Sequence, residues 1–465
     1  MRGAGKVLAL APGGKAKVRL DGDPGLPWTL PLGELRIERP EPEPQPVAPA
    51  LPPRPAPVGV DLGDIEIGAW PLVTPAANGS ERADLRQTVE AMRLGVVPAE
   101  HVREYTVGRE ATFASLEEIL GVQGGLRVLW GDYGSGKTHM LDIAERIALE
   151  HGYLTSRIVL DPFEVPPSHP RRLYASIVER LRYPDDQGHG LEPLFERLVE
   201  SDEHADPGGH FQSRFYSPYL FALRREDGEL LDWMRDYVDG CNMDVADGNA
   251  RLARLGWAGP RLLTMSDYRT YGRMYTHLLG TMATWAKDAG YRGLLLLFDE
   301  VEFVDSLSKQ ELGFAMEVLK HFAAVTVPRE DLCFDPDALY KGGHKVHREL
   351  RLHFRSDQPL TVLFALTPLA DIQQSFRGIV DKDEWNIPLP PLRESDLGDL
   401  LRGVLGVYLR AYPDSGIVPD DRAEVLSVVR DAALDRGTSP RVLVRSLATA
   451  LDAIRWRRRT WETPS

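Results

Sequence analysis

The chain has 465 residues, of which 43% are hydrophobic and 27% charged, and a formal net charge of −14 at pH 7. That length points to two or three domains, with enough apolar residues for sizeable cores. The acidic balance withholds the basic stripe usual in proteins that live on nucleic acid, so any DNA contact would have to be local. No run approaches the roughly 18 apolar residues of a membrane span, and the opening MRGAGKVLALAPGGK lacks a long apolar stretch and cleavage site for secretion. Cys241 and Cys333 stand far apart without metal-ligand spacing, which argues against a disulfide framework or a zinc site. The expectation is a cytoplasmic protein with no membrane contact.

Residues 1–39 read as a small all-β domain. Lys6–Leu10 and Lys15–Leu20 alternate around the turn signal Pro12-Gly13-Gly14, and Trp28–Pro31 and Leu35–Ile37 follow Gly/Pro-rich breaks. So many short strands in so few residues predict a small SH3-like β-barrel. Residues 40–57, PEPEPQPVAPALPPRPAP, are too rich in proline to pack and predict a semi-rigid extended linker. A role for Pro52-Pro53-Arg54-Pro55 as an SH3 ligand is the competing reading.

Residues 58–391 read as an α/β core. A helix is expected over 80–95, with Leu85, Val89 and Met92 on one face and Ser80 as N-cap. After Val107-Gly108-Arg109-Glu110 comes a second helix, Phe113–Leu120. From Leu126 the pattern alternates between strands (Leu126–Trp130, Tyr153–Leu160, Gly293–Phe298, Leu360–Leu366, Trp385–Leu389) and helices such as Thr138–Glu150. Short apolar strands of this kind predict a parallel sheet covered on both faces. The stretch of about 172–285, rich in Tyr, Trp and Met, reads as a helical insertion. Residues 392–465 are helical over Ser395–Tyr412, Pro419–Arg436 and Pro440–Arg459.

Between the first strand and its helix, Gly131-Asp132-Tyr133-Gly134-Ser135-Gly136-Lys137-Thr138 matches G-x-x-x-x-G-K-[ST], the P-loop or Walker A pattern. Glycines let successive N–H groups turn inward around phosphates, and the following helix presents its positive end. Lys137 is expected on the β- and γ-phosphates and the Thr138 hydroxyl on Mg²⁺. The buried strand LLLLF ends in Asp299-Glu300, at the edge where a doubly wound sheet binds ligand. Asp299 is expected to hold Mg²⁺ and Glu300 to polarise the attacking water, with Glu302 as the alternative base. Thr367 ends the next buried strand, where a hydroxyl would help position that water; a mere strand-ending hydroxyl before Pro368 is the alternative.

In Gly437-Thr438-Ser439-Pro440-Arg441, Gly437 reads as a helix C′ residue, Ser439 as an N-cap and Pro440 as N1. Arg441 then sits in a first helical turn, where the dipole disfavours it and a nucleotide phosphate would compensate. Arg377, from its chain position, is a candidate arginine finger toward a neighbouring subunit, or a surface arginine. Arg455, Arg457, Arg458 and Arg459 form a local basic patch, read either as a DNA contact or as a solvated helix end.

These residues in this order resemble AAA+ ATPases, and the VGRE box with helical C-terminus resembles the origin-recognition initiator branch. More narrowly, AMRLGVVP (91–98), VGRE (107–110), GDYGSGKTH (131–139, ending at His139), GYRGLLLLFDEVE (290–302) and LFALTPLADIQQSFRGI (363–379) resemble the P-loop ATP-binding family of BREX phage-defence systems. The resemblance implies a Mg²⁺-dependent AAA+ ATPase acting with other defence-system proteins. It assigns Thr367 to sensor 1, Arg441 to sensor 2, Val107, Gly108 and Arg109 to the adenine-side wall, Arg377 to the finger and 392–465 to a helical lid. It leaves 1–57 uncovered. Thr departs from the Asn often found at sensor 1, and no winged-helix domain follows the lid. The rival readings are a slow-hydrolysing nucleotide-gated switch or scaffold, and a DNA translocase or loader. A nucleotide-dependent homo-oligomer would give Arg377 its purpose.

Overall fold

The computed structural model describes residues 5–11, 15–20, 28–31, 71, 79–96, 101–121, 124–186, 188–343, 345–436 and 439–459. The chain divides into two compact units, Met1–Gly59 and Val60–Ser465. In the first, β1 (Gly5–Ala11), β2 (Lys15–Leu20) and β3 (Trp28–Pro31) form an antiparallel sheet in that order, with a register shift between Val7 and Ala9. The expected fourth strand Leu35–Ile37, the Pro12-Gly13-Gly14 turn and the proline-rich stretch 40–57 lie outside the described residues.

The second unit is an α/β fold on a mixed, mostly parallel six-stranded sheet. Its strands are β4 (Gly125–Gly131), β5 (Leu154–Val159), β6 (Leu181–Arg182), β7 (Leu294–Asp299), β8 (Leu360–Leu366) and β9 (Asn386–Leu389), in the order β6-β5-β7-β8-β4-β9. The sequence led us to expect a wholly parallel sheet; β6 corrects that, running antiparallel to Thr155 and Ser156 of β5. Two residues carry no periodicity from which it could be read.

The run LLLLF has no polar alternation because both faces of β7 are covered. Leu294, Leu296 and Phe298 enter one core with Val362, Phe364 and Leu366 of β8, beneath the helices Gly272–Asp288 and Lys309–Thr326. Leu295, Leu297, Leu363 and Ala365 enter the other, with Met140, Ile143 and Ile147 of the helix Lys137–Glu150. Phe298 centres the first core, its ring 5.3 Å from both Phe322 and Phe364.

The stretch 172–285 carries a series of helices, and most of its aromatic residues are core. Tyr174, Tyr216 and Trp285 are fully buried. The Tyr174 hydroxyl donates to Val238 O at 2.7 Å, and the Trp285 indole to Phe211 O at 3.1 Å. The helix Lys309–Thr326 had no counterpart in the sequence reading, although Ser308 caps it, its Oγ accepting from the Glu311 N–H at 3.3 Å and donating to Glu311 Oε2 at 3.0 Å.

The C-terminal helices Glu394–Ala411, Arg422–Arg436 and Pro440–Arg459 share the second core with the helix Gly79–Leu94. Ser80 is therefore inside a first turn and not an N-cap, and Pro419–Asp421 forms a 3-10 turn before its helix. Arg410 forks between Glu81 at 2.5 Å and Glu104 at 2.6 Å, and Arg93 meets Asp452 at 2.6 Å. Among the described residues no helix is long and apolar enough to cross a membrane.

Truncating Phe298 would open a cavity at the sheet centre. Phe298→Ala should destabilise this unit by about 3–5 kcal/mol, whereas Val159→Ala, at a site 46% exposed on the same sheet, should cost no more than about 0.5 kcal/mol. Urea unfolding followed by far-UV circular dichroism measures both.

Candidate functional site

The sheet order places β4 next to β8, although its chain successor β5 lies beyond β7. The connection from β4 crosses toward β5 while that from β8 crosses over β4 to β9, so these neighbouring strands are left in opposite senses, which opens a crevice at their C-terminal ends. There the chain turns from β4 into the helix Lys137–Glu150, with Gly134 at φ 80° and Gly136 at φ 102°. A side-chain carbon on Gly134 would also lie 2.9 Å from Ser439 Cβ, so glycine is required there twice over. The helical ladder begins with Met140 N–H to Gly136 O, which leaves the N–H groups of Lys137, Thr138 and His139 ahead of it at the positive helix end.

Because β8 lies between β4 and β7, the ends of the three strands bring their polar residues together. Lys137, 8% exposed, donates from Nζ to Thr367 Oγ1 at 2.9 Å and to Gly131 O at 3.0 Å. Glu302 Oε1 accepts a hydrogen bond from the Thr367 hydroxyl and lies 3.6 Å from the Lys137 ammonium. Thr138 Oγ1 donates to Asp299 Oδ2 at 3.0 Å, and Arg157 Nη2 lies 3.4 Å from that same oxygen while Nη1 pairs with Asp142. Burial pushes the Asp142 carboxyl up to about 6 despite Arg157 beside it.

Glu300 stands at φ 57° and ψ 34°, a left-handed conformation unusual for a non-glycine residue. It turns the chain into the 3-10 segment Val301–Ser306 and leaves Glu300 lining the cleft. Burial, then Glu302 and Asp299, raise its pKa above the ordinary carboxylate value, against Lys137 and Arg441.

The cleft encloses about 1030 Å³ of space, the opening to solvent included. Its lining combines the glycine turn, Lys137, Thr138, Glu300 and Arg441 with the apolar Met92, Val96, Tyr105, Val107, Leu400 and Val444. Arg109, largely buried, is also part of the lining and braces the turn: its guanidinium donates to Ser135 O at 2.9 Å and Pro390 O at 2.6 Å. Gly108, at φ 64°, makes room for Asp396, since a Cβ there would lie 2.6 Å from Asp396 Oδ2. Tyr133, 78% exposed, marks the rim. His139 Nε2 lies 2.5 Å from Thr106 Oγ1.

Other expected residues lie elsewhere. Arg377 is exposed at the end of the helix Ala370–Arg377, 3.9 Å from Asp381, and is not part of the cleft lining. In the basic patch, Arg455 is buried against Asp452 and the Tyr412 ring, Arg457 forks onto Glu424, and Arg458 meets Asp421 at 2.6 Å. The side chain of Arg459, and Gly437 with Thr438, fall outside the described residues.

Sequence reasoning missed Arg157, Asp142 and Thr106, and ranked Glu302 second. Arg157 lies on β5, beside β7, two residues before the Val159 that faces Asp299 in register. A charged residue inside the buried strand LTSRIV was the available signal.

With this geometry in place, the chain is an α/β protein with a glycine-lined cleft at the C-terminal ends of its central strands. A family model, that of the BREX system ATP-binding proteins BrxC/D, matches residues 81–206. Over that stretch, which carries β4, the glycine turn, its helix and β5, the chain resembles the BREX ATP-binding family. No curated protein and no solved structure matches the chain.

Burial, with Arg109 as a second cause, lowers the His139 pKa from 6.5 to about 4. Its unfolded form therefore takes up a proton near pH 6.5 that the folded form refuses, and stability falls as pH drops from about 6.5 toward 4. His139→Gln should lose less stability over that window, measured as the difference in urea midpoint between the two proteins at each pH.

Proposed function

We propose that the chain is a Mg²⁺-dependent ATPase of the P-loop, AAA+ type, the ATP-binding subunit of a BREX-like anti-phage system. In this reading it couples nucleotide state to the three C-terminal helices as a lid and to protein partners. The observation that carries it is the convergence of Lys137, the Thr138–Asp299 pair, Glu300 and Arg441 on one glycine-lined turn. The residues present fit a nucleoside triphosphate: Ser135 Oγ is buried with no hydrogen-bond partner among the described residues, and Gly131, Gly134 and Gly136 put no side-chain carbon on the turn.

Thr138 and Asp299 offer the hard oxygen donors that Mg²⁺ takes, and the ion would neutralise charge on the phosphate oxygens. Lys137 supplies the cation for the β- and γ-phosphates. Glu300, its pKa already raised, accepts a proton from water more readily than an ordinary carboxylate. Thr367 holds Lys137 in position, and Arg441 adds a second positive charge from the helical side. The apolar part of the lining, Val107 included, suits a flat heterocyclic base. Arg377, exposed and loosely paired, is available to a second copy of the chain.

The rival reading, a slow-hydrolysing switch, draws support from the hold that Glu302 keeps on Lys137 and Thr367. A DNA-engaging role would have to release Arg455, Arg457 and Arg458 from their internal partners.

Phosphate release and nucleotide binding separate the readings. Lys137→Ala should abolish binding of ATP·Mg²⁺, whereas Glu300→Gln should bind normally and lose at least about 100-fold in turnover, the scale of a general base. Equal inactivity of wild type and Glu300→Gln in phosphate release, alone and with partners or DNA, would overturn the ATPase reading.

A further inference from the structure

Two of the groups assigned above to the triphosphate site are already held by one carboxylate. The left-handed turn at Glu300 folds Val301–Ser306 back across the end of β8, and this brings Glu302 to Lys137. Glu302 Oε1 accepts the Thr367 hydroxyl proton and lies 3.6 Å from the Lys137 ammonium, which itself donates to Thr367 at 2.9 Å. A hydroxyl has one proton to give, so while Glu302 takes it, Thr367 can offer none to a phosphate or a water. The lysine and glutamate side chains are 8% and 14% exposed, so their attraction is screened less than at the surface.

This carboxylate is only half satisfied. Its second oxygen, Oε2, is buried and has no hydrogen-bond partner among the described residues. A buried acceptor left unpaired is costly, and Glu302 raises the pKa of nearby Glu300 as one negative charge beside another. Glu302 is thus held in place by Lys137 while being poorly served by the rest of its surroundings. A phosphate carrying more charge and more acceptors can outcompete it for that lysine.

We propose that Glu302 is a latch on the nucleotide site: it occupies Lys137 and Thr367 until the terminal phosphate of a nucleoside triphosphate displaces it. The displacement frees the Thr367 hydroxyl and withdraws a negative charge from the place where the phosphate settles. Glu302 is a positioning residue acting through Lys137 and Thr367. It raises the threshold for occupancy and makes the site favour a triphosphate, whose terminal group can take over the lysine, less strongly than the same site without the latch. The inference rests on the nucleotide reading of the cleft.

The test is a titration of the full chain with fluorescent ATP and ADP analogues in the presence of Mg²⁺, using wild type, Glu302→Gln, Glu302→Ala and Lys137→Ala. Glu302→Gln removes the charge but keeps the shape, and Glu302→Ala removes both. Both should bind the ATP analogue about tenfold more tightly than wild type, the scale of one charge-assisted hydrogen bond. The gain for the ADP analogue should be smaller, and the thermal midpoint without nucleotide should be no lower for Glu302→Gln. Unchanged or weaker ATP binding by both variants, with wild type binding and Lys137→Ala not, overturns the latch alone. If loss of turnover accompanies unchanged binding, Glu302 is acting on the water instead, and the latch is again overturned. Absence of binding by wild type and by both Glu302 variants overturns the nucleotide reading together with the latch.

Discussion

β7 and β8 are buried along their whole length, so every backbone N–H and C=O in them must be paired within the sheet. That demand fixes their neighbours, β5 on one side and β4 on the other, all parallel and all ending at the same edge. Gly131, Asp299 and Thr367 reach that edge from three different strands or just beyond them. Nothing local in the chain brings them together; the sheet does. Alternate side chains of the same two strands knit opposite cores, so a fault in either core is felt at the polar edge.

Burial also explains the electrostatics of that edge. Asp299, Glu300, Glu302 and Asp142 crowd a small volume, and the chain answers with Lys137 and Arg157 rather than with solvent. The proton affinity of Glu300 and of Asp142 rises because burial disfavours the charged form before any neighbour acts. The net charge of −14 is therefore not spread as a uniform repulsion toward anions. At the glycine turn, Lys137 and the helix end supply positive charge beside those carboxylates. At the C-terminal helix the same logic runs the other way: Arg455, Arg457 and Arg458, adjacent in sequence and conspicuous as a patch, each have an acidic partner within the fold.

Much of the second unit could be read from residue order. β8 begins and ends where its apolar run does, and the helix Pro440–Arg459 follows its N-terminal proline. The strands at the site were legible because complete burial produces uninterrupted apolar runs, and the glycine turn because only glycine tolerates its backbone. What escaped the sequence depends on tertiary register. The two-residue β6 exists only because β5 offers it an edge. Arg157 and Asp142 pair across the gap between a strand and a helix, at no fixed spacing. The two carbonyls that hold the Arg109 guanidinium, Ser135 and Pro390, likewise come from distant parts of the chain. The three-strand meander of the first unit was legible by alternation, while its fourth expected strand falls beyond the described residues.

The forked ion pair of Arg410 has a mechanical meaning. One guanidinium ties a C-terminal helix both to Glu81, on the first helix of this unit, and to Glu104, two residues before Thr106. The earliest and latest helices are further joined by Arg93 and Asp452, and their apolar residues form one wall of the cleft. These ion pairs and the shared core join the two helices at the wall of the cleft, so a load on either helix reaches that wall through charge pairs as well as apolar packing.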